Sequence, residues 1–141
     1  MTIELFPGAP VSQRTVVADA ARSSEARTAT AGIDSRAPRS LSPTVLAREP
    51  FVEMIVLPDT WSGVAMTAST RWRLTAPLPP GRPITLSTTV SARWYAAGRE
   101  FITYTTTMTD SSSDKKIATA DVTLFNYVDE QAVPNVVERR T

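Results

Sequence analysis

The chain has 141 residues, with 15 basic and 14 acidic side chains for a net charge of +1, and it contains neither cysteine nor histidine. Without cysteine there is no disulfide framework and no thiolate chemistry. Without histidine there are no His general bases, no His-containing triads and few routes to a zinc or iron site, and the near-even charge gives no basis for nucleic-acid binding.

The length predicts one domain over residues 1–141, with a core that needs no covalent staples. No dense Asp/Glu loop of the calcium type is present. All basic residues except Lys115 and Lys116 are arginines. That bias, with abundant Ala and Thr, fits a GC-rich bacterial genome. Glu4 and Pro7 interrupt the stretch where a signal peptide needs an apolar run, so a soluble, cytoplasmic protein is expected.

In chain order, Thr2–Phe6 reads as a short edge strand closed by a turn at Pro7-Gly8. Ser12 can cap a helix through Val16, Val17, Ala20 and Ala21. Residues Arg22–Leu41 are small and polar with no clear period and read as a loop. Ser42-Pro43 suits the start of a further helix, followed by the dense apolar run Phe51–Leu57, which can be a strand or a helix end. Pro58-Asp59 marks a turn. From Thr70 a period of two sets in: Trp72 and Leu74 alternate with Arg71, Arg73 and Thr75. Pro77–Gly81 breaks this strand. Ile84, Leu86, Thr88, Val90, Ala92 and Trp94 then fall on one face of the next, and Ala97-Gly98 makes a hairpin turn. Ile102, Tyr104, Thr106 and Met108 share one side of the strand that follows. After a polar loop at 110–116, Ala118, Ala120, Val122 and Leu124 share one side of the last strand, with Phe125 and Tyr127 on the other. Residues 70–127 are therefore expected to form an antiparallel meander, and residues 128–141 a frayed tail.

The run Pro77-Leu78-Pro79-Pro80-Gly81-Arg82-Pro83, the hairpin Ala97-Gly98-Arg99-Glu100-Phe101, the strand end Thr109-Asp110 and the segment Ala118-Thr119-Ala120 stand in a familiar order. This order resembles the MaoC-like dehydratase and hydratase branch of the hotdog superfamily over roughly residues 70–127. The resemblance implies an α+β fold, an antiparallel sheet wrapped around a helix, whose subunits pair into homo-oligomers or with a second hotdog chain. It also implies an acyl thioester as substrate. The family's catalytic Asp and His act on that thioester, and laying residues 16–25 over the family's helix puts Glu25 at the Asp position and Thr30 at the His position. Ser42-Pro43-Thr44 resembles the segment that opens the next element. Thr30 cannot serve as the base, so the resemblance implies the scaffold and the ligand class and speaks against the ordinary hydration reaction. Glu25 acts alone only if burial raises its pKa.

Among the other candidates, Asp34 sits near Arg27 and Arg36 and can simply pair with them. Asp59 has an Asx-turn as its bland alternative. Trp61, Trp72 and Trp94 can line an apolar pocket or fill a core. Tyr104 and Tyr127 can donate to a carbonyl oxygen or stand on a wet sheet face. Arg71, Arg73 and Arg93 can meet a phosphate or form a solvated face. No cofactor or metal is called for. Two functions compete. One is an enzyme that binds an acyl or polyketide-type chain, free or carrier-bound, and promotes a lyase, dehydratase or cyclase step by preorganisation. The other is a catalytically silent MaoC-like subunit that shapes the tunnel of an active partner. A small ligand-binding barrel of the lipocalin type ranks below both, since it needs about eight strands.

Overall fold

The computed structural model describes residues 5–17, 49–52, 55–61 and 65–140. Its centre is the hairpin that the Ala97-Gly98 dipeptide makes. Ala97 has φ 52° and Gly98 φ 76°, both positive as the tight two-residue hairpin turn requires. The turn joins β3 (Pro83–Ala96) to β4 (Arg99–Asp110), and a polar turn at 111–115 leads from β4 into β5 (Lys116–Tyr127). β1 (Pro10–Val17) lies outside β3, and β2 (Met66–Leu74) lies outside β5, all antiparallel, in the order β1-β3-β4-β5-β2. A two-residue strand, β6 (Glu138–Arg139), pairs parallel with β3 at Trp94 and Tyr95. The described residues contain one α-helical piece, α1 (Glu49–Val52).

The expected meander is present, with β2 beginning at Met66 rather than Thr70. Two elements differ from expectation. Residues Pro10–Val17 form a strand, not the start of a helix capped by Ser12. The β-branched residues Val11, Thr15, Val16 and Val17 favour a pleated surface, and the strand is held by antiparallel pairing with Thr89 through Pro83. The supposed fraying tail lies against the sheet instead. It makes a 3-10 turn at Glu130–Ala132, buries Val133 and Val137, and donates from Arg140 N to the Tyr95 carbonyl at 2.8 Å. Leu5 and Phe6 precede the Pro7-Gly8 turn without strand pairing, and Ile55–Pro58 has no regular structure. The turn expected at Pro58-Asp59 is present and is closed by Trp61 N donating to Pro58 O at 3.0 Å. The helix start at Ser42-Pro43 and the loop at 22–41 lie outside the described residues.

A β-bulge at Ser91 decides which side chains face the core. The register of β3 against β4 slips between Val90 and Ala92. Before the slip, Ile84, Leu86, Thr88 and Val90 are buried; after it, Arg93 is buried and Trp94 is not. One extra residue reverses the alternation. Ala92 and Trp94 thus leave the face that strict alternation gave them, and Arg93, expected on a solvated face, turns inward.

A candidate active site on the inner sheet face

The inner face of the sheet is built from alternate residues of β3, β4 and β5. Two apolar clusters divide it. Leu78, Ile84, Leu86, Met108, Ile117, Ala118 and Val16 form the first, with Trp72 packed against them. The second contains Leu5, Val11, Trp61, Val90, Ile102, Tyr104, Val122 and Leu124. Between them runs a narrow belt in which Thr88 pairs with Thr106 and Thr106 with Ala120, which in turn opposes Trp72. The Thr88 and Thr106 hydroxyls are 2.7 Å apart and buried, one donating to the other.

The hairpin end of this face carries the charged chemistry. Arg93 Nε donates to Glu100 Oε1 at 2.5 Å, and the Arg93 Nη2 contacts the same oxygen. Arg93 Nη1 donates to the Leu5 carbonyl at 2.9 Å. Glu100 is 0% exposed. A pair this deep persists because each charge neutralises the other and the remaining N–H finds a carbonyl. Tyr104 stands four residues further along β4 on the same face and donates to the Val56 carbonyl at 2.5 Å. Burial pushes the Tyr104 hydroxyl above the ordinary tyrosine range, Arg93 pulls it down, and Glu100 pushes it further up. Tyr104 is therefore a neutral donor, not a base.

Tyr104 and Trp61, both singled out from the sequence, come together in the second cluster. Trp72 is on the inner face but in the other cluster. Trp94 is on the outer face, stacked on Phe101 with ring centroids 5.0 Å apart. Asp59 is exposed in its turn. Glu25, Thr30 and Asp34 lie outside the described residues. Sequence reasoning missed Arg93 and Glu100. Their signal was present: they flank a hairpin turn, so cross-strand pairing brings opposite charges together. The bulge then determines that they meet inside the sheet.

No protein-family model matches the chain, and no curated protein matches it. Solved structures do. The MaoC-like dehydratase from Rhodospirillum rubrum superposes with a TM-score of 0.64 at 13% identity, covering 89% of this chain and 99% of that one. The HadBC (3R-hydroxyacyl-ACP dehydratase) complex from Mycobacterium tuberculosis gives a TM-score of 0.59 at 12% identity, covering 89% and 100%. R-hydratase PhaJ1 from Pseudomonas aeruginosa gives 0.58 at 11%, covering 93% and 91%. With its sheet in the order β1-β3-β4-β5-β2, the chain has the hotdog fold in the form seen in MaoC-like dehydratases and hydratases.

Proposed function

We propose that the chain binds an acyl or polyketide-type substrate, free or thioester-bound to a carrier, along the inner face of its sheet. There it promotes a lyase, dehydratase or cyclase step in bacterial secondary metabolism, in the cytoplasm and without a histidine base or a cofactor. One observation carries this reading: an inner face with two apolar clusters, a paired-hydroxyl belt between them and, at the hairpin end, Tyr104 beside the Arg93–Glu100 pair. Such a face desolvates a long apolar chain and fixes its few polar groups. Positioning of this kind supplies several kcal/mol of barrier lowering, of order 7–11 kcal/mol in well-oriented systems, with no titrating base. In this reading a helix closes the inner face, Trp61, Trp72, Tyr104 and Thr30 line the substrate path, and Glu25 and Asp34 are the catalytic carboxylates. Trp94 and Asp59 stand apart from that path.

The test is incubation with a library of acyl-, hydroxyacyl- and polyketide-type thioesters, with products read by mass spectrometry and binding by calorimetry. Conversion of any member supports the enzyme. Binding without conversion leaves the silent-subunit reading in place, and failure to bind any member overturns both.

A second reading has its own support. Among the described residues β2 pairs only with β5, and its exposed residues include Met66 and Leu74. An open edge of this length invites another strand, and one structural relative is itself described as a complex. We propose that the chain assembles as a homo-oligomer or pairs with a second hotdog subunit. Light scattering on the isolated protein separates these from a monomer.

A further inference from the structure

A cavity of about 250 Å³ opens at the end of the sheet away from the Ala97-Gly98 hairpin, between the Pro77–Gly81 loop and the turn that follows β4. Roughly 30 Å of strand separates it from the Arg93–Glu100 pair, since Glu100 and Asp110 stand at opposite ends of β4. Ala76, Pro77, Pro79 and Ile117 give it apolar walls, and Arg82, Asp110 and Lys115 give it charge. These walls come from separate stretches of chain that backbone bonds lock together. Thr75 N and Ala76 N both donate to Ile117 O, at 2.8 and 3.1 Å. Ser111 N donates to Pro83 O at 3.0 Å, and Asp110 N to Lys115 O at 2.9 Å. Pro77 and Pro79 stiffen the remaining wall. A cavity framed in this way stands ready before a ligand arrives, so little ordering entropy opposes binding.

Its charge is uneven. The Asp110 side chain is 6% exposed and already satisfied: Arg82 Nη2 meets Oδ2 at 2.8 Å, and Ser112 N donates to Oδ1 at 2.9 Å. Arg82 is 48% exposed, and among the described residues its Nε and Nη1 make no hydrogen bond. Lys115 is exposed and has no ion pair among those residues. Two cations and one carboxylate leave one surplus positive charge beside apolar walls. We propose that this cavity binds a small organic acid, a singly charged carboxylate on a compact apolar body. Arg82 and Lys115 take the carboxylate, and Pro77, Pro79 and Ile117 take the body. Size and charge set the class. Sites for drug-sized molecules run from roughly 300 Å³ upward, so this one suits a body of a few carbons rather than a long acyl chain or a nucleotide. A dianion would bring its second charge against the Asp110 carboxylate. None of the residues assigned to the substrate path lines the cavity, so the inference stands apart from the acyl-chain reading.

The probes are isovalerate, its uncharged amide isovaleramide, and inorganic phosphate. Each is titrated into the full-length protein and followed through backbone amide shifts in NMR. Isovalerate is expected to give saturable shifts at Ala76, Arg82, Lys115 and Ile117. It should bind about ten-fold or more tightly than the amide, which lacks the charge, and than phosphate, which lacks the apolar body and carries a second charge near neutral pH. Lys115→Gln should weaken isovalerate about three-fold, and Arg82→Gln about ten-fold or more. Arg82→Gln also unpairs Asp110. Lys115→Gln changes only an exposed turn residue, so it carries the test if the arginine variant fails to fold. The proposal is overturned if the amide or phosphate binds as tightly as isovalerate, or if the saturable shifts fall on other residues. Unchanged affinity in Lys115→Gln overturns it too, as does the absence of saturable binding.

Discussion

The two faces of this sheet are woven from the same strands and obey different rules. On β4, Ile102, Tyr104, Thr106 and Met108 are buried, while Thr103, Thr105, Thr107 and Thr109, interleaved with them, face outward and are only partly covered. The outer hydroxyls bond to neighbours that solvent can replace: Thr105 to Asp121 at 2.7 Å and to Ser91 at 2.9 Å, Thr103 with Thr123 at 2.8 Å. The inner polar groups have no such alternative. The difference teaches that a chemically similar contact, threonine on threonine or arginine on carboxylate, is worth little on one face and a great deal on the other.

The ion pairs give the sharpest way to break that comparison. Arg93→Met leaves Glu100 unpaired in the interior and is expected to cost about 3–5 kcal/mol in urea unfolding. Arg73→Met removes an outer pair with Asp121, whose arginine side chain is 67% exposed, and is expected to change stability by less than about 0.5 kcal/mol. Similar losses from the two would dissolve the distinction between the faces. Ile102→Ala, which opens a cavity in the second cluster, should cost about 2–4 kcal/mol by the same measurement, against a few tenths for Thr103→Ala on the opposite side of the strand.

The buried hydroxyl belt sharpens the point. Thr88→Val strands the Thr106 hydroxyl and is expected to cost about 1–2 kcal/mol. Adding Thr106→Val should recover part of that loss, because the Thr106 orphan is then removed. A strictly additive double variant would contradict the pairing.

The smallest effect is in pH. Burial raises the Tyr104 pKa in the folded protein above the unfolded value of about 10. A group with a raised folded pKa contributes its full stability below the unfolded value and loses it as pH climbs. The fold should therefore weaken progressively above about pH 10. Tyr104→Phe loses the bond to Val56, at about 1 kcal/mol near neutral pH, and should lessen this alkaline slope. An unchanged slope would show that some other group governs it.

Much of the sheet was legible before any coordinates, because alternation and turn residues are local signals. Ala97-Gly98 and Pro77–Gly81 fall where turns are seen, and the buried sides of β4 and β5 are the ones that periodicity chose. Two kinds of information were not local. The Val11–Val17 segment carries apolar residues at spacings that fit either a helix or a strand, and only its pairing with β3 settles the matter. The inward turn of Arg93 depends on a slip that no single residue announces. The candidate site suffered most. Trp61 and Tyr104 draw notice as aromatic residues on a predicted fold, and they share one buried cluster. Glu100 was passed over, since a glutamate beside a hairpin turn ordinarily faces water.

The Ser91 bulge also has a meaning for how such a chain can change. A single inserted residue acts as a phase switch for everything between it and the hairpin turn. Deleting it would exchange the addresses of Arg93 and Trp94, sending the charge to the surface and an indole toward the inner face. One codon thus decides whether the inward carboxylate of Glu100 meets a guanidinium or an indole. Chains that differ by that codon would share a silhouette while differing in what lies beside Glu100.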